Sequence, residues 1–303
     1  GGSGNDEVAY TVDGDGAGGH ELDIDLGAGN DQLTLASTSQ FQKATSTKVA
    51  DLADGGAGTD TISVAAADAE AQAAVTGFSN FEELTITGNV DSDVDVANYQ
   101  ASGITTVNLA AATSGGSAEI NFATGGGTVD LQVVNNIGAD NTTFAVAGTA
   151  TTDTVTLRNQ GGSAGNADVD VFNDKNLILT GIETLVIDTS GLGNTDVTQD
   201  IGNLTFTPTG TTKATVEFKG GNNVNVEIID AQFVDASGMS AAFVMNNAMA
   251  SDNAAATAIA ELTGGSKNDT LLGDADQATT IKGGAGDDNI TGGSAKDTIE
   301  GGD

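Results

Sequence analysis

The stretch GGAGDDNITGGSAKDTIEGGD, residues 283–303, opens the same unit three times, at Gly283, Gly292 and Gly301. The unit has the form Gly-Gly-x-Gly-x-Asp-x-U-x, where U is a large apolar residue. Glycine adopts left-handed backbone at little steric cost, so the first half reads as a tight turn that aims carbonyl oxygens inward. The aspartate at position six adds an anionic oxygen. The last three residues read as a short strand whose apolar side chain enters a core. Working outward, Leu262, Leu271, Ile281, Ile290 and Ile299 each fall two residues before the next unit opens. Gly264 and Gly283 are 19 residues apart, as are Gly273 and Gly292, while Gly283 and Gly301 are 18 apart. Two units thus make one coil of a parallel β-roll, and alternate units stack on the same edge.

Further copies stand at 1–9 (GGSGNDEVA) and 55–63 (GGAGTDTIS), with weaker ones at 26–34 (LGAGNDQLT), 264–272 (GGSKNDTLL) and 292–300 (GGSAKDTIE). The unit at 273–282 lacks the glycine pattern but keeps Ile281 in the core place, and Asp274 and Asp276 are expected as substitute ligands there. The pattern is the nonapeptide of calcium-binding RTX repeats. Its chemistry suits Ca²⁺, which takes six to eight oxygens in flexible geometry, a set that two stacked turns can supply. The candidate metal residues are Asp6, Asp31, Asp60, Asp269, Asp287, Asp288 and Asp297 with Gly2, Gly4, Gly56, Gly58, Gly265, Gly284 and Gly286. The N-terminal copies start at 1, 26 and 55, out of strict period, and are expected as individual turns in a longer-looped solenoid. Lys267 and Ala295 replace the glycine at position four and Lys296 precedes Asp297, so those turns are expected to bind calcium weakly.

The 303 residues carry 43 acids against nine bases, a formal net charge of −34. Such a field repels nucleic acid and anionic lipid and attracts cations. Because 38% of residues are apolar, the charge reads as the rim of a folded β protein rather than as disorder. With no cysteine there are no disulfides, thiolate ligands or cysteine nucleophile. No apolar stretch is long enough to insert in a membrane, and no signal peptide is visible. Both ends cut through repeats, which suggests an excised piece of a longer chain.

AAADAEAQAAV (65–75) and ASDNAAATAIAEL (250–262) read as short helices. Between them strands are expected in 77–88, 103–111, 126–134, 153–159, 181–187, 203–210 and 214–229, one per period of mostly 20–28 residues. That period favours a parallel β-solenoid over a meander or sandwich. Asp91, Asp93 and Asp95 have the opening spacing of an EF-hand, but Val96 replaces its glycine, so an outward-facing acidic strand is expected. Around 22–26, Leu22, Ile24 and Leu26 share one face and Glu21, Asp23 and Asp25 the other. The single histidine, His20, sits in HELDI, which is not a zinc-binding HExxH, and nothing else points to an enzyme.

GGAGTDTISV, the Ala-rich helix, FSNFEELTITG, GIETLVI and the clustered GGAGDDNIT units together make residues 55–303 resemble the calcium-binding C-terminal part of Caulobacter-type crystalline surface-layer proteins of alphaproteobacteria. The resemblance implies an all-β protein, export by the type I route, calcium-dependent folding outside the cell and self-assembly into a two-dimensional lattice. It also implies contact with cell-surface polysaccharide through regions outside this chain. The sequence is therefore expected to form an all-β parallel solenoid with RTX turns and one or two short helices. Three segments are expected: an N-terminal RTX-containing segment (1–63), a strand-rich body (64–250) and a C-terminal RTX β-roll (251–303). The expected function is a structural subunit of a bacterial surface layer; the alternative is a calcium-binding segment of a large RTX adhesin.

Overall fold

The computed structural model describes residues 1–10, 23–35, 52–72, 77–114, 118–123, 125–131, 137–160, 170–191, 197–210, 213–247 and 261–303. Among these, the strands form parallel sheets of 13, nine and three strands. Along the chain, successive strands alternate between sheets, so the backbone winds as a β-solenoid. The long sheet runs from Glu7–Tyr10 to Thr298–Gly302 and draws strands from all three segments marked out in the sequence. Asp23–Asp25, Leu52–Asp54 and Phe78–Ser79 supply the second side of the first coils, and the nine-stranded sheet, Val94–Asp95 to Asn289–Thr291, supplies it thereafter.

Period-two alternation sends every second residue inward, and parallel register then lays like on like. Leu33, Ile62, Leu84, Val107, Val129, Leu157 and Ile187 are partners in successive coils and are all buried. A second file joins Val155, Leu185, Val216, Val234, Leu262, Ile281 and Ile299. Its last member lies on the final strand and is 50% exposed. Steps along these files run from 18 residues, Ile281 to Ile299, to 31, Leu185 to Val216. The 20–28 residue spacing is thus too narrow, and each coil contributes two strands rather than one. The strands missing from the sequence reading include Ala118–Phe122, Asn141–Val146 and Lys175–Thr180, all in the nine-stranded sheet.

The outer face of the long sheet places scarce cations between acids. Asp130, Arg158, Asp188 and Lys219 are register partners in successive coils, alternating in sign. Arg158 Nε and Nη2 each donate to Asp130 at 2.7 Å, and Lys219 Nζ lies 3.3 Å from Asp188. The first expected helix forms over Ala66–Ala71. Of the second, residues 250–260 lie outside the described residues, while Glu261 and Leu262 belong to strand Glu261–Thr263. The acidic strand expected around Asp91–Asp95 is corrected to the two residues Val94–Asp95, followed by a 3-10 helix over Val96–Ser102. Asp95 turns the chain there, since its carboxylate accepts the Ala97 N–H at 3.0 Å. Leu22 and His20 lie outside the described residues; Leu26 is buried, Ile24 half-buried and Asp23 and Asp25 exposed.

Several coils enter the long sheet through a short turn unrelated to the nonapeptide. Asn80-Phe81-Glu82, Gly103-Ile104-Thr105 and Gly181-Ile182-Glu183 each begin with a left-handed residue, at φ 52°, 96° and 65°. Each then buries an apolar side chain and ends on a polar one. In all three the last residue and its successor donate their N–H groups to one carbonyl of the coil before, at Asp60, Glu82 and Asp153. Glu183, 3% exposed, ties three coils: Oε2 accepts the Asp153 N–H at 2.9 Å and Oε1 the Thr209 N–H at 2.7 Å. Glu183→Ala strands the buried Asp153 N–H, at a cost of about 1–3 kcal/mol, and frees the half-buried Thr209 N–H at a smaller one. It is expected to lower the urea midpoint without changing the m-value, and an unchanged midpoint would refute the staple.

Candidate metal centre

Turns 1–6, 26–31 and 55–60 lead into the long-sheet strands Glu7–Tyr10, Gln32–Leu35 and Thr61–Ala65, so they share one edge of that sheet. They form one stack rather than individual turns. Ala28 donates to the Gly2 carbonyl at 3.0 Å, Ala57 to Gly27 at 2.9 Å and Gly29 to Ala57 at 2.9 Å. Turns 264–269 and 283–288 leave the long sheet and stack on its opposite edge, with Ala285 donating to Gly265 at 3.0 Å. Turns 273–279 and 292–297 return to the first edge, where Ser294 donates to Ala275 at 2.7 Å. Loop length between turns varies, but parallel pairing brings each turn over its counterpart.

Stacking puts aspartate over aspartate. Asp6 donates its backbone N–H to Asp31 Oδ1 at 2.7 Å, Asp31 donates to Asp60 Oδ1 at 2.7 Å, and Asp269 donates to Asp288 Oδ1 at 2.9 Å. One oxygen of each acceptor is thereby fixed. The fate of the other oxygen sorts the turns into two conformations.

In turns 26–31, 55–60 and 283–288 the outer oxygens, Asp31 Oδ2, Asp60 Oδ2 and Asp288 Oδ2, are buried without any hydrogen-bond partner. Positions two and four of these open turns are left-handed: Gly27 and Gly29 at φ 101° and 139°, Gly56 and Gly58 at 100° and 149°, Gly284 and Gly286 at 106° and 125°. In the closed turns 1–6, 264–269 and 292–297 the outer oxygen accepts the turn's own position-two N–H, Gly2 to Asp6 at 3.1 Å, Gly265 to Asp269 at 2.6 Å and Gly293 to Asp297 at 2.8 Å. Their fourth residues are Gly4, Lys267 and Ala295, and none is left-handed. A β-carbon makes left-handed backbone costly, which accounts for closure at Lys267 and Ala295.

At Gly55 and Gly283 position one is closed to any side chain, whereas turn 26–31 carries Leu26 there. A β-carbon on Gly283 would collide with the Gly301 carbonyl and Asp288 Oδ2, and one on Gly55 with the Asn80 carbonyl and, at 3.0 Å, Asp60 Oδ2. Asp287 is exposed, and only its backbone enters the stack, donating to Asn268 Oδ1 at 3.0 Å. Asp274 caps its own turn, accepting the Asp276 and Gln277 N–H groups at 2.9 and 2.8 Å.

Burial holds the Asp60 carboxyl above its ordinary range; the Asp31 N–H opposes this, and the charges of Asp31, Glu82 and Asp54 add to it. Burial likewise raises Asp269, against the N–H groups of Phe243 and Gly265 and with the charge of Asp288. A buried carboxylate oxygen with no donor calls for a cation or a proton. The donors here are all oxygen, and among the described residues no three Asp, Glu or His side chains converge on a point. A cation would therefore be held by turn carbonyls with one or two carboxylates, a set that fits Ca²⁺ and gives zinc no nitrogen or sulfur.

Sequence reading missed Glu82, Asp153 and Glu183, whose carboxylates accept the N–H groups of Asp60 at 2.9 Å, Gly125 at 2.6 Å and Asp153 at 2.9 Å. They occupy the place of the nonapeptide aspartate without the nonapeptide. The available signal was the shared pattern of NFEELTI and GIETLVI.

Residues 261–277 and 276–303 match the family model of the RTX calcium-binding nonapeptide repeat (4 copies). No curated protein and no solved structure matches the chain. The C-terminal coils thus carry calcium-binding RTX repeats, and Ca²⁺ is the ion that their turns take.

Proposed function

We propose that this chain is a structural subunit of a bacterial surface layer, folding and assembling outside the cell around calcium. The observation that carries the calcium part is the set of three buried, unpartnered carboxylate oxygens in the open turns. The principal ligands are then Asp31, Asp60 and Asp288, with carbonyls of the turn glycines; Asp6, Asp269 and Asp297 bind more weakly because their outer oxygens are already engaged. An ion that binds only the native state stabilises it by mass action. A chain of net charge −34 would stay loose where calcium is scarce and fold where it is plentiful. The lattice reading draws on the resemblance of residues 55–303 and on a continuous sheet that makes a stiff building element. Electron microscopy of the purified chain tests it. Ordered two-dimensional sheets with calcium and none in EGTA are expected, whereas a calcium-loaded monomer that adheres to glycan would favour an adhesin segment.

The two turn conformations predict unequal mutants. Asp288→Ala should weaken calcium binding in calorimetric titration at least tenfold, roughly what loss of even an outer-shell partner costs a metal site. Asp297→Ala should do less, and equal effects would contradict the sorting.

Without calcium, acid should partly replace the ion. Asp60 and Asp269 have raised values, so the folded chain binds their protons more tightly than the unfolded chain. That contribution is full below the unfolded aspartate value near ~4 and is lost as pH rises through the folded values. Asp188 is a separate case. Burial would raise it, but Ser190 and Lys219 outweigh burial and hold it low, so it stays ionised in both states above ~4. In EGTA the melting temperature should therefore rise as pH is lowered from 7 toward about 5. In saturating calcium it should fall, since protons then compete with the ion. A fall in EGTA would count against buried, uncompensated carboxylates.

A further inference from the structure

We propose that Asn80 and Glu82 complete an additional calcium site against Asp60, one coil beyond the last nonapeptide turn of the N-terminal stack. The proposal deepens the calcium reading above and depends on it. No nonapeptide covers residues 78–83, yet this coil reproduces two features of one.

The first is the position-six carboxylate. Asp31 donates its N–H to Asp60 Oδ1, and Asp60 in turn donates to Glu82 Oε2 at 2.9 Å. The turn into Glu82 has three residues where the nonapeptide has six, and the extra methylene of glutamate returns the carboxylate to the stack. The second feature is the position-one carbonyl. In the repeats, the Leu26 carbonyl presses on Gly1, that of Gly283 on Gly264 and that of Gly301 on Gly283. On Gly55 the pressing carbonyl is that of Asn80. Asn80 is left-handed at φ 52°, a conformation asparagine tolerates, and its side chain is tied to Asp54 Oδ1 at 2.7 Å. Asp54 is thus a positioning residue.

Between these groups sits Asp60, 0% exposed, with Oδ2 unpartnered. A β-carbon on Gly55 would lie between that oxygen and the Asn80 carbonyl, the same cradle that Asp288 Oδ2 and the Gly301 carbonyl form around Gly283. The orphan oxygen of Asp60 therefore belongs to the level shared with residues 80–82. Glu183, in the matching short turn, is the contrast. Both of its oxygens accept backbone N–H groups, and Asp153 beside it has no orphaned oxygen among the described groups. The same turn is structural there and ligating at Glu82.

Calcium bound to the folded full-length chain, counted by equilibrium dialysis against calcium chloride, decides the matter. Glu82→Gln should bind one ion fewer than the unmodified chain and need at least about tenfold more calcium to reach the midpoint of folding by circular dichroism. Glu183→Gln should lower stability and leave the count unchanged. An undiminished count and midpoint in Glu82→Gln would overturn the site. Should that variant fold at no calcium concentration, Asp60→Asn decides, because the amide is isosteric with a protonated carboxyl. A count lower by one supports the site, and an unchanged count shows that a proton suffices at Asp60 and overturns it. An unmodified chain that binds no calcium would sink the calcium reading itself, whereas a full count in Glu82→Gln sinks only this added site.

Discussion

Parallel coiling forces equal residues to lie above one another at the spacing of adjacent strands, about 4.8 Å. For apolar residues this is favourable, and the files from Leu33 to Ile187 and from Val155 to Ile281 make a core without bulky aromatics at every level. For aspartates it is costly. Two unit charges at that distance repel by about 3 kcal/mol at an effective dielectric constant of 20. Asp6, Asp31 and Asp60 lie in one such file, and Asp269 and Asp288 in another. Every other feature of the turns can be read as a means of making these files tolerable.

Two means are visible. A backbone N–H from the neighbouring coil takes one oxygen of each accepting carboxylate, a charge-assisted bond that also fixes the rotamer. The second oxygen meets either the turn's own N–H or nothing. The choice follows from the backbone at positions two and four, where left-handed glycine turns the N–H away and leaves the oxygen bare. Glycine at these places is therefore a ligand-exposing device as well as a turn former. The outer face solves the same charge problem differently, by alternating Asp130, Arg158, Asp188 and Lys219 along a single register line.

The turns and the C-terminal core file were legible because both are written in fixed positions of a short unit, from Gly264 and Leu262 onward. The regularity of the long sheet was less so. Coil steps vary between 18 and 31 residues while the inward register holds, because loop length is weakly constrained thermodynamically once both ends are paired. The strands Ala118–Phe122, Asn141–Val146 and Lys175–Thr180 were missed because one clear strand per period already accounted for the spacing. Glu82 and Glu183 share a visible line, NFEELTI and GIETLVI, but their role was illegible for another reason. An acid one residue before a strand reads as a solvated cap, and only the coil stacked beside it shows the backbone N–H that it accepts.

That last point bears on how a stack of aspartate turns can end inside a continuous solenoid. The nonapeptide unit is six turn residues and a three-residue strand, and its carbonyls are useful only if the next coil presents matching groups. A coil of another type would leave the last aspartate buried against apolar or uncharged backbone, a large penalty for an ionised group. The short turn with Asn80 and Glu82 keeps one carbonyl and one carboxylate at the same level while dropping three residues, groups that compensate Asp60 only through the cation proposed above. One coil later Thr105 takes the corresponding place, its N–H on the Glu82 carbonyl, and where carboxylates return to that place, at Asp153 and Glu183, backbone N–H groups engage them. The acid in this place thus passes from aspartate through glutamate to threonine over three coils, and the stacked turns give way to a body held by its apolar files.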